Sequence, residues 1–467
     1  MQSERFGRRR VYLVVGFLLL CCNISAQQQD PCAGVRRRAL VFSGGGSKGA
    51  FETGAAYHLI VHRNCDFHEL TGASVGALNS AFLAQAAASD DPAQSHGNLA
   101  EQVESLVSLW QSVKGPRDIM RSRKLATLRF GLFGLESLND FQPLKRLLQA
   151  NISAEKLEHG RPTRAGVVSF WDGGYREVVA RSSPSGQLNP KFMEYLFASS
   201  VPPLYGKLPR IVDGSASDDP KQWPQFTDGG LRHITPVVSY FKTCRMEQLS
   251  SEGDSETCNS SGNFVAPPHE TVQQLFVIVS SPYSRHSDLL PVVDPKCCRP
   301  GTRQVTDGRK ILARTIMMLD DSAYRWDLDF MFIANDMLRW RWENYQDALA
   351  VPAHDSTGTP HPSNRRALGI ESYNQISNNP DSPSLPYEIG LVTPEKEYAE
   401  VSQLMVFSPD LIQEQLYCGC LAADRMMQER FGQASVADQC AHRFPVLPPK
   451  RQASGHGLEH CLGGTGM

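Results

Sequence analysis

Gly72-Ala73-Ser74-Val75-Gly76 sets a serine between two glycines, after a short apolar run near Leu70 and before an Ala-rich stretch from Val75 to about Ala88. In a G-x-S-x-G segment at a strand-to-helix junction, the flanking glycines, here Gly72 and Gly76, relieve the crowding of a sharp turn. The serine oxygen is thrust out above the sheet. That placement suits nucleophilic attack on a carbonyl carbon, for which a hydroxyl needs a base to take its proton. Upstream, Gly44-Gly45-Gly46-Ser47-Lys48-Gly49 lies between the apolar run 39–43 and a helical pattern. Glycines there leave amide N–H groups bare at a helix N-terminus, where negative charge is stabilised. One reading makes Gly44, Gly45 and Gly46 an oxyanion hole, with Lys48 and Gly49 supporting the loop. A second is a dinucleotide site, since Gly44, Gly46 and Gly49 satisfy G-x-G-x-x-G with Asp66 or Glu69 about 20 residues on. A phosphate loop fails on residue identity, because Lys48 is followed by Gly49 rather than Ser or Thr.

The usual base for a serine is a histidine oriented by an acid. Of 13 His, those nearest to plausible site segments are His58, His62, His68 and His233, and none sits in a late strand-end loop of the α/β-hydrolase kind. A carboxylate acting directly on the serine is the other option. Asp228-Gly229-Gly230 is the best candidate, because its glycines let the backbone present Asp228 after Phe226-Thr227. Asp172-Gly173-Gly174 repeats the tripeptide between two short strand patterns, where Asp-Gly is favoured by hairpin geometry. Asp213-Gly214 is a third, less defined turn.

Gly44 to Gly49, then Gly72 to Gly76, then Asp228-Gly229-Gly230, in that chain order, resemble the patatin-like phospholipases. Ala198-Ser199-Ser200-Val201-Pro202-Pro203 resembles the segment that family carries before its Asp-Gly-Gly, and Pro236 fits it too, although His233-Ile234-Thr235 replaces the Asn often found there. Leu404 to Gln428 looks like the family's closing strand and helix. The resemblance implies a three-layer α/β/α fold with a mostly parallel central sheet. It also implies a Ser–Asp dyad without histidine: Ser74 the nucleophile, Asp228 the general base, and the Gly44–Gly46 amides the oxyanion donors. The implied substrate is a lipid ester met at a transient membrane or micelle surface, with no metal and no cofactor. No acidic cluster has the spacing of a calcium loop.

The elements that must position these residues follow from the apolar pattern. Strands are expected at 39–43 and near Leu70, helices over 49–63 and 75–88, paired strands at 166–170 and 176–180, and a buried strand at 275–280. Strand, helix, strand, helix at this spacing argues for a parallel sheet covered by helices. Arg309 to Leu349 is a long helical pattern whose Trp326, Trp340 and Trp342 read as packing. Insertions are expected at 211–224, 244–268 and 283–308, and a mobile loop at 352–386. The acyl hydrolase domain is drawn over 38–435, with a polar leader at 27–37 and a C-terminal tail at 436–467.

Arg8-Arg9-Arg10, the apolar run 11–22 and small residues at Ser25 and Ala26 make residues 1–26 an export signal. Twelve helical residues reach about 18 Å, short of the ~30 Å hydrocarbon core, so permanent anchoring is the weaker alternative. Cleavage after Ala26 removes four Arg and one Glu and takes the net charge from −2 to −5. That balance argues against nucleic acid as a partner, and protein partners have no signature. Ten cysteines then remain, an even number that suggests disulfides in an exported chain. Cys418-Gly-Cys420 has the wrong spacing for zinc and no second tight pair with a nearby His. Sequons stand at Asn151 and Asn259. Two further functions stay open: a nucleotide-binding oxidoreductase, and a non-catalytic exported scaffold whose cysteine-bearing loops bind a partner.

Overall fold

A computed structural model of the chain describes residues 30–34, 37–123, 137–181, 187–212, 219, 222–241, 272–283, 323–340, 343, 386–394 and 406–445. The signal 1–26, the insertions 244–268 and 283–308, the loop 352–386, Asp213, Asn259 and Trp342 lie outside these residues, apart from the edge positions Tyr283 and Pro386.

Strand β1 (Arg38–Phe42) runs through the glycine turn into helix α1 (Gly49–Tyr57), which continues as a π-helical turn, His58–His62. Then come β2 (Glu69–Ala73), α2 (Val75–Ala84) and α3 (Pro92–Ser112), the last started by Pro92 and capped by Asp91. Helices α4 (Gln142–Asn151) and α5 (Ala154–His159) precede the hairpin of β3 (Thr163–Ser169) and β4 (Tyr175–Val179). Helix α6 (Phe192–Ser199), β5 (Phe226–Asp228), β6 (Gln274–Ile278), helix α7 (323–340) and β7 (Glu388–Val392) follow. Helices α8 (Pro409–Phe431) and α9 (Ala437–Arg443) end the described chain.

These seven strands form one sheet in the order β4–β3–β2–β1–β6–β7, with β5 also paired to β3, and a separate two-residue antiparallel pair joins Arg121–Ser122 to Asn139–Asp140. The β3–β2–β1–β6–β7 pairs are parallel, and β4 and β5 run antiparallel to β3. Both sheet faces are apolar, as a parallel sheet under two helical layers requires. Leu40, Phe42, Leu70, Phe276 and Ile278 pack with α1, α2, α3 and α8, whereas Ala39, Val41, Leu275 and Val277 pack with Tyr324, Leu328 and Met331 of α7. The fold is thus the three-layer α/β/α arrangement expected. Helix α8 lies so close to α1 that a Cβ on Gly54 or Gly419 would fall 1.9 Å from a backbone oxygen of the other helix.

Among the described residues the last strand before α8 is Glu388–Val392, and Leu404 lies outside them. Two expectations change. Trp326 and Trp340 lie outside the buried core: they are 67% and 64% exposed. The tail drawn from residue 436 opens with α9, whose Cys440 is joined to Cys420 of α8 and whose neighbour Phe444 is buried in the core.

Candidate active site

The strand register brings Ser74 and Asp228 together. Along one edge of β3, Ala73 pairs with Gly166 and is the last residue of β2; Asp228 of β5 takes the next position, opposite Val167. The residue after Ala73 and the residue opposite Val167 must therefore meet. Ser74 Oγ donates a 2.6 Å hydrogen bond to Asp228 Oδ2, and Asp228 Oδ1 accepts the Gly230 N–H at 2.8 Å. Asp228 is 8% exposed, and no imidazole intervenes.

Ser74 takes φ 53° and ψ −129°, a strained conformation for a side chain with a Cβ. The turn is tight enough that a Cβ on Gly72 would stand 2.2 Å from Gly76, and one on Gly76 2.2 Å from the Ser43 oxygen. Ser199 secures the turn: its Oγ accepts the Ser74 N–H at 3.1 Å and donates to the Gly166 oxygen at 2.6 Å.

The glycine loop lies beside this elbow, and a Cβ on Gly44 would meet Ser74 Cβ at 3.1 Å. Gly46 takes φ +58°, open to glycine at no steric cost. The Gly44 N–H is already given to the Ile234 oxygen at 2.7 Å, so Gly44 cannot serve as an oxyanion donor. Among the described residues the Gly45 and Gly46 amides have no such backbone acceptor. Lys48 is buried with its Nζ 3.2 Å from Ser281 Oγ, and Gly49 faces Val75 and Trp110, where a Cβ would clash.

Glu52, absent from the sequence reading, lies beneath the loop. Its Oε1 is 2.8 Å from Ser43 Oγ and its Oε2 accepts from Asn79 Nδ2 at 3.1 Å. Complete burial pushes its carboxyl well above the usual range, against the pull of these bonds and of Lys48.

An apolar cavity opens at Ser74 and Gly46, with about 800 Å³ of space including the open solvent at its mouth. Leu78, Phe82, Leu106, Phe141, Leu144 and Phe407 line it. Asn151, of the first sequon, also lines it and donates to the Leu147 oxygen at 2.8 Å.

The other candidates are engaged elsewhere. Asp172 is at the exposed β3–β4 hairpin tip, accepting from the Gly174 N–H at 2.8 Å. Asp66 is paired with Arg161 at 2.9 Å and Glu69 with Arg164 at 2.8 Å, which removes the acid a ribose would need. His68 Nδ1 accepts the Arg38 N–H at 3.3 Å. His233 Nδ1 is 2.7 Å from Asp327 Oδ1, and burial pushes that carboxyl up despite the His233 contact.

The fold gathers His58, His62, Cys420 and Cys440, with four metal-capable atoms within 4.8 Å of one another. The sequence hid this grouping, because 358 positions separate His62 from Cys420. Cys420 and Cys440 are joined in a disulfide, so neither offers a thiolate, and His58 Nε2 already accepts from Arg63 at 3.1 Å. The group therefore lacks a zinc ligand set. Cys32 and Cys65 form a second disulfide.

A family model, Patatin-like phospholipase, matches residues 40–239. No curated protein matches the chain. Among solved structures, the crystal structure of VipD from Legionella pneumophila aligns at 10% identity and a TM-score of 0.33, over 85% of this chain and 68% of that one. The assignment rests on the family match and the sheet order: residues 40–239 form a domain of the patatin-like phospholipase family, whose members are lipid acyl hydrolases.

Proposed function

We propose that the chain is a serine lipid acyl hydrolase of phospholipase A, lysophospholipase or esterase type, working through an acyl-enzyme on Ser74 with Asp228 as general base. The observation that carries this reading is the direct 2.6 Å contact between Ser74 Oγ and Asp228 Oδ2 at the mouth of an apolar cavity. Asp228 takes the hydroxyl proton as Oγ attacks the ester carbonyl. The resulting oxyanion faces the Gly45 and Gly46 amides. Collapse expels the alcohol, which leaves with the proton from Asp228. Water then attacks the acyl-enzyme with Asp228 again as base, releasing the fatty acid and free Ser74.

Contact with a lipid surface belongs to this reading. Trp171, 91% exposed, and its exposed neighbour Phe170 stand on the turn that leaves the C-terminal end of β3, and exposed Leu231 follows Asp228 by three positions. Exposed indole and aliphatic groups at that edge suit a membrane–water boundary. Export is part of the reading as well, supported by the basic and apolar N-terminus and by two disulfides.

The test is labelling with a fluorophosphonate, which reacts with activated serines. The wild type takes up the probe at Ser74, and Ser74→Ala takes up none while its thermal melt is unchanged. Ester turnover in that variant falls by about 10⁴-fold or more. A folded wild type that neither labels nor cleaves a panel of phospholipid, lysophospholipid and short-chain esters favours the non-catalytic scaffold.

A further inference from the structure

We infer that helix α7, which lies beyond the family-matched segment, positions both halves of the acyl-transfer machinery: Tyr324 holds the oxyanion loop, and Asp327 holds the loop that follows Asp228. The inference rests on the acyl-hydrolase reading above and goes beyond it, because neither residue touches the reacting atoms.

Tyr324 OH donates to the Gly44 oxygen, and Ser280 Oγ at the end of β6 reaches the same oxygen at 3.2 Å. That oxygen belongs to the peptide whose N–H is Gly45's. A trans peptide points its C=O and N–H in opposite directions. Fixing the carbonyl towards Tyr324 and Ser280 therefore turns the Gly45 N–H to the other side of the loop. Glycine has no side chain to resist a peptide flip, so the orientation must be imposed from outside. Tyr324 is 2% exposed, and its hydroxyl is also 3.1 Å from Ser280 Oγ.

Asp327 stands three positions on, one helical turn away and on the same face. Its Oδ1 is 2.7 Å from His233 Nδ1, and its Oδ2 accepts the Thr235 N–H at 2.9 Å. The residue between those two partners, Ile234, accepts the Gly44 N–H at 2.7 Å. The His233 ring meets Tyr175 edge-on at 4.6 Å between centroids, which fixes its plane. One carboxylate thus holds a segment that begins five positions after Asp228 and also carries the acceptor for Gly44. The contacts close a circuit: Asp228 to Ser74, Ser74 beside Gly44, Gly44 to Ile234, and Ile234 between the two partners of Asp327. Packing of α7 alone does not call for it, since Leu328 and Met331 already seat the helix on the sheet, and a fully buried carboxylate is costly unless its bonds are used.

Tyr324→Phe and Asp327→Asn test the inference on a soluble p-nitrophenyl ester, with kcat normalised to the sites that a fluorophosphonate titrates. Ile333→Ala, at a position 60% exposed on the same helix, is the control. Each positioning variant is expected to lower kcat by about tenfold or more, with KM changed by less than about threefold, as sub-ångström misplacement of reacting groups does. The rate of Ser74 phosphonylation falls in parallel, and Ile333→Ala matches wild type. Unchanged kcat per titrated site in both variants overturns the inference. So does a rise in KM alone, or an equal loss in Ile333→Ala. Should Asp327→Asn fail to fold, Tyr324→Phe decides, because it removes one oxygen and keeps the packed ring. A wild type with no esterase activity and no label at Ser74 fails at the acyl-hydrolase reading itself and takes this inference with it; an active wild type with unaffected variants removes this inference alone.

Discussion

Asp228→Asn is the most discriminating single substitution, because the two oxygens of Asp228 have different duties. Oδ1 accepts the Gly230 N–H at 2.8 Å and Oδ2 accepts the Ser74 hydroxyl at 2.6 Å. An asparagine has one oxygen, and the Gly230 amide keeps it in the Oδ1 place. The NH₂ group then faces Ser74 Oγ and donates where the carboxylate accepted, so the hydroxyl proton has nowhere to go. General-base assistance contributes about 10²–10⁴-fold. The upper end applies here, because His233 is committed to Asp327 and cannot substitute. A loss of about 10⁴ in kcat corresponds to about 5 kcal/mol of barrier. Asp228 is not among the residues that line the cavity, so KM should hold. The assay is steady-state hydrolysis of a soluble p-nitrophenyl ester, paired with the rate of fluorophosphonate inactivation. A fall in kcat of less than about tenfold refutes direct base catalysis by this carboxylate. So does residual activity that disappears when His233→Ala is added, because an imidazole would then be the base.

Trp171→Ala should lower hydrolysis of phospholipid vesicles by about tenfold, since losing a buried indole at an interface costs on the order of 1–3 kcal/mol, and leave the soluble ester untouched; equal effects on both substrates in a co-sedimentation and turnover assay argue against a docking role. Glu52→Gln tests the buried carboxyl. Burial raises its folded pKa above the reference value of 4.5, so the folded state keeps its proton longer than the unfolded state does. The stabilisation is complete below that reference value and is lost as pH rises through the folded pKa. The Gln variant, having no charge to bury, should therefore gain melting temperature over wild type at pH 8 and not at pH 4. A difference that does not change with pH contradicts this assignment.

The meeting of Ser74 and Asp228 was legible because each sits in a short motif with a backbone reason for its glycines. The hairpin reading of Asp172 rested on the same backbone argument, and Gly173 takes the left-handed φ, +69°, that such a turn favours. The Gly44 amide was not legible, since its acceptor Ile234 is 190 positions away and a carbonyl carries no sequence signature. Helix α7 shows a different limit. Its inward stripe is Tyr324, Asp327, Leu328, Met331 and Asn335, and its outward stripe is Trp326, Ile333, Met337 and Trp340. Both stripes keep helical spacing, so periodicity reveals a helix without saying which face packs. The more apolar stripe is the exposed one, which is why the pattern reads the tryptophans as packing and passes over Asp327.

Ser199 shows how a motif can be recognised before its physics is. Ala198-Ser199-Ser200-Val201-Pro202-Pro203 entered the sequence reading only as a resemblance, with no task assigned to either serine. In the fold, Ser199 Oγ accepts the N–H of strained Ser74 and donates its proton to Gly166, the partner of Ala73 on β3. The elbow is thereby tied to the strand against which Asp228 is registered, at the position next to Val167. A residue held at φ 53° persists only where its surroundings over-determine it. Ser199 meets that requirement with one hydroxyl acting in both senses, and nearby Val201 adds to it, since its oxygen accepts the Thr227 hydroxyl at 2.8 Å and fixes the residue before Asp228. The segment therefore secures both Ser74 and the residue before Asp228.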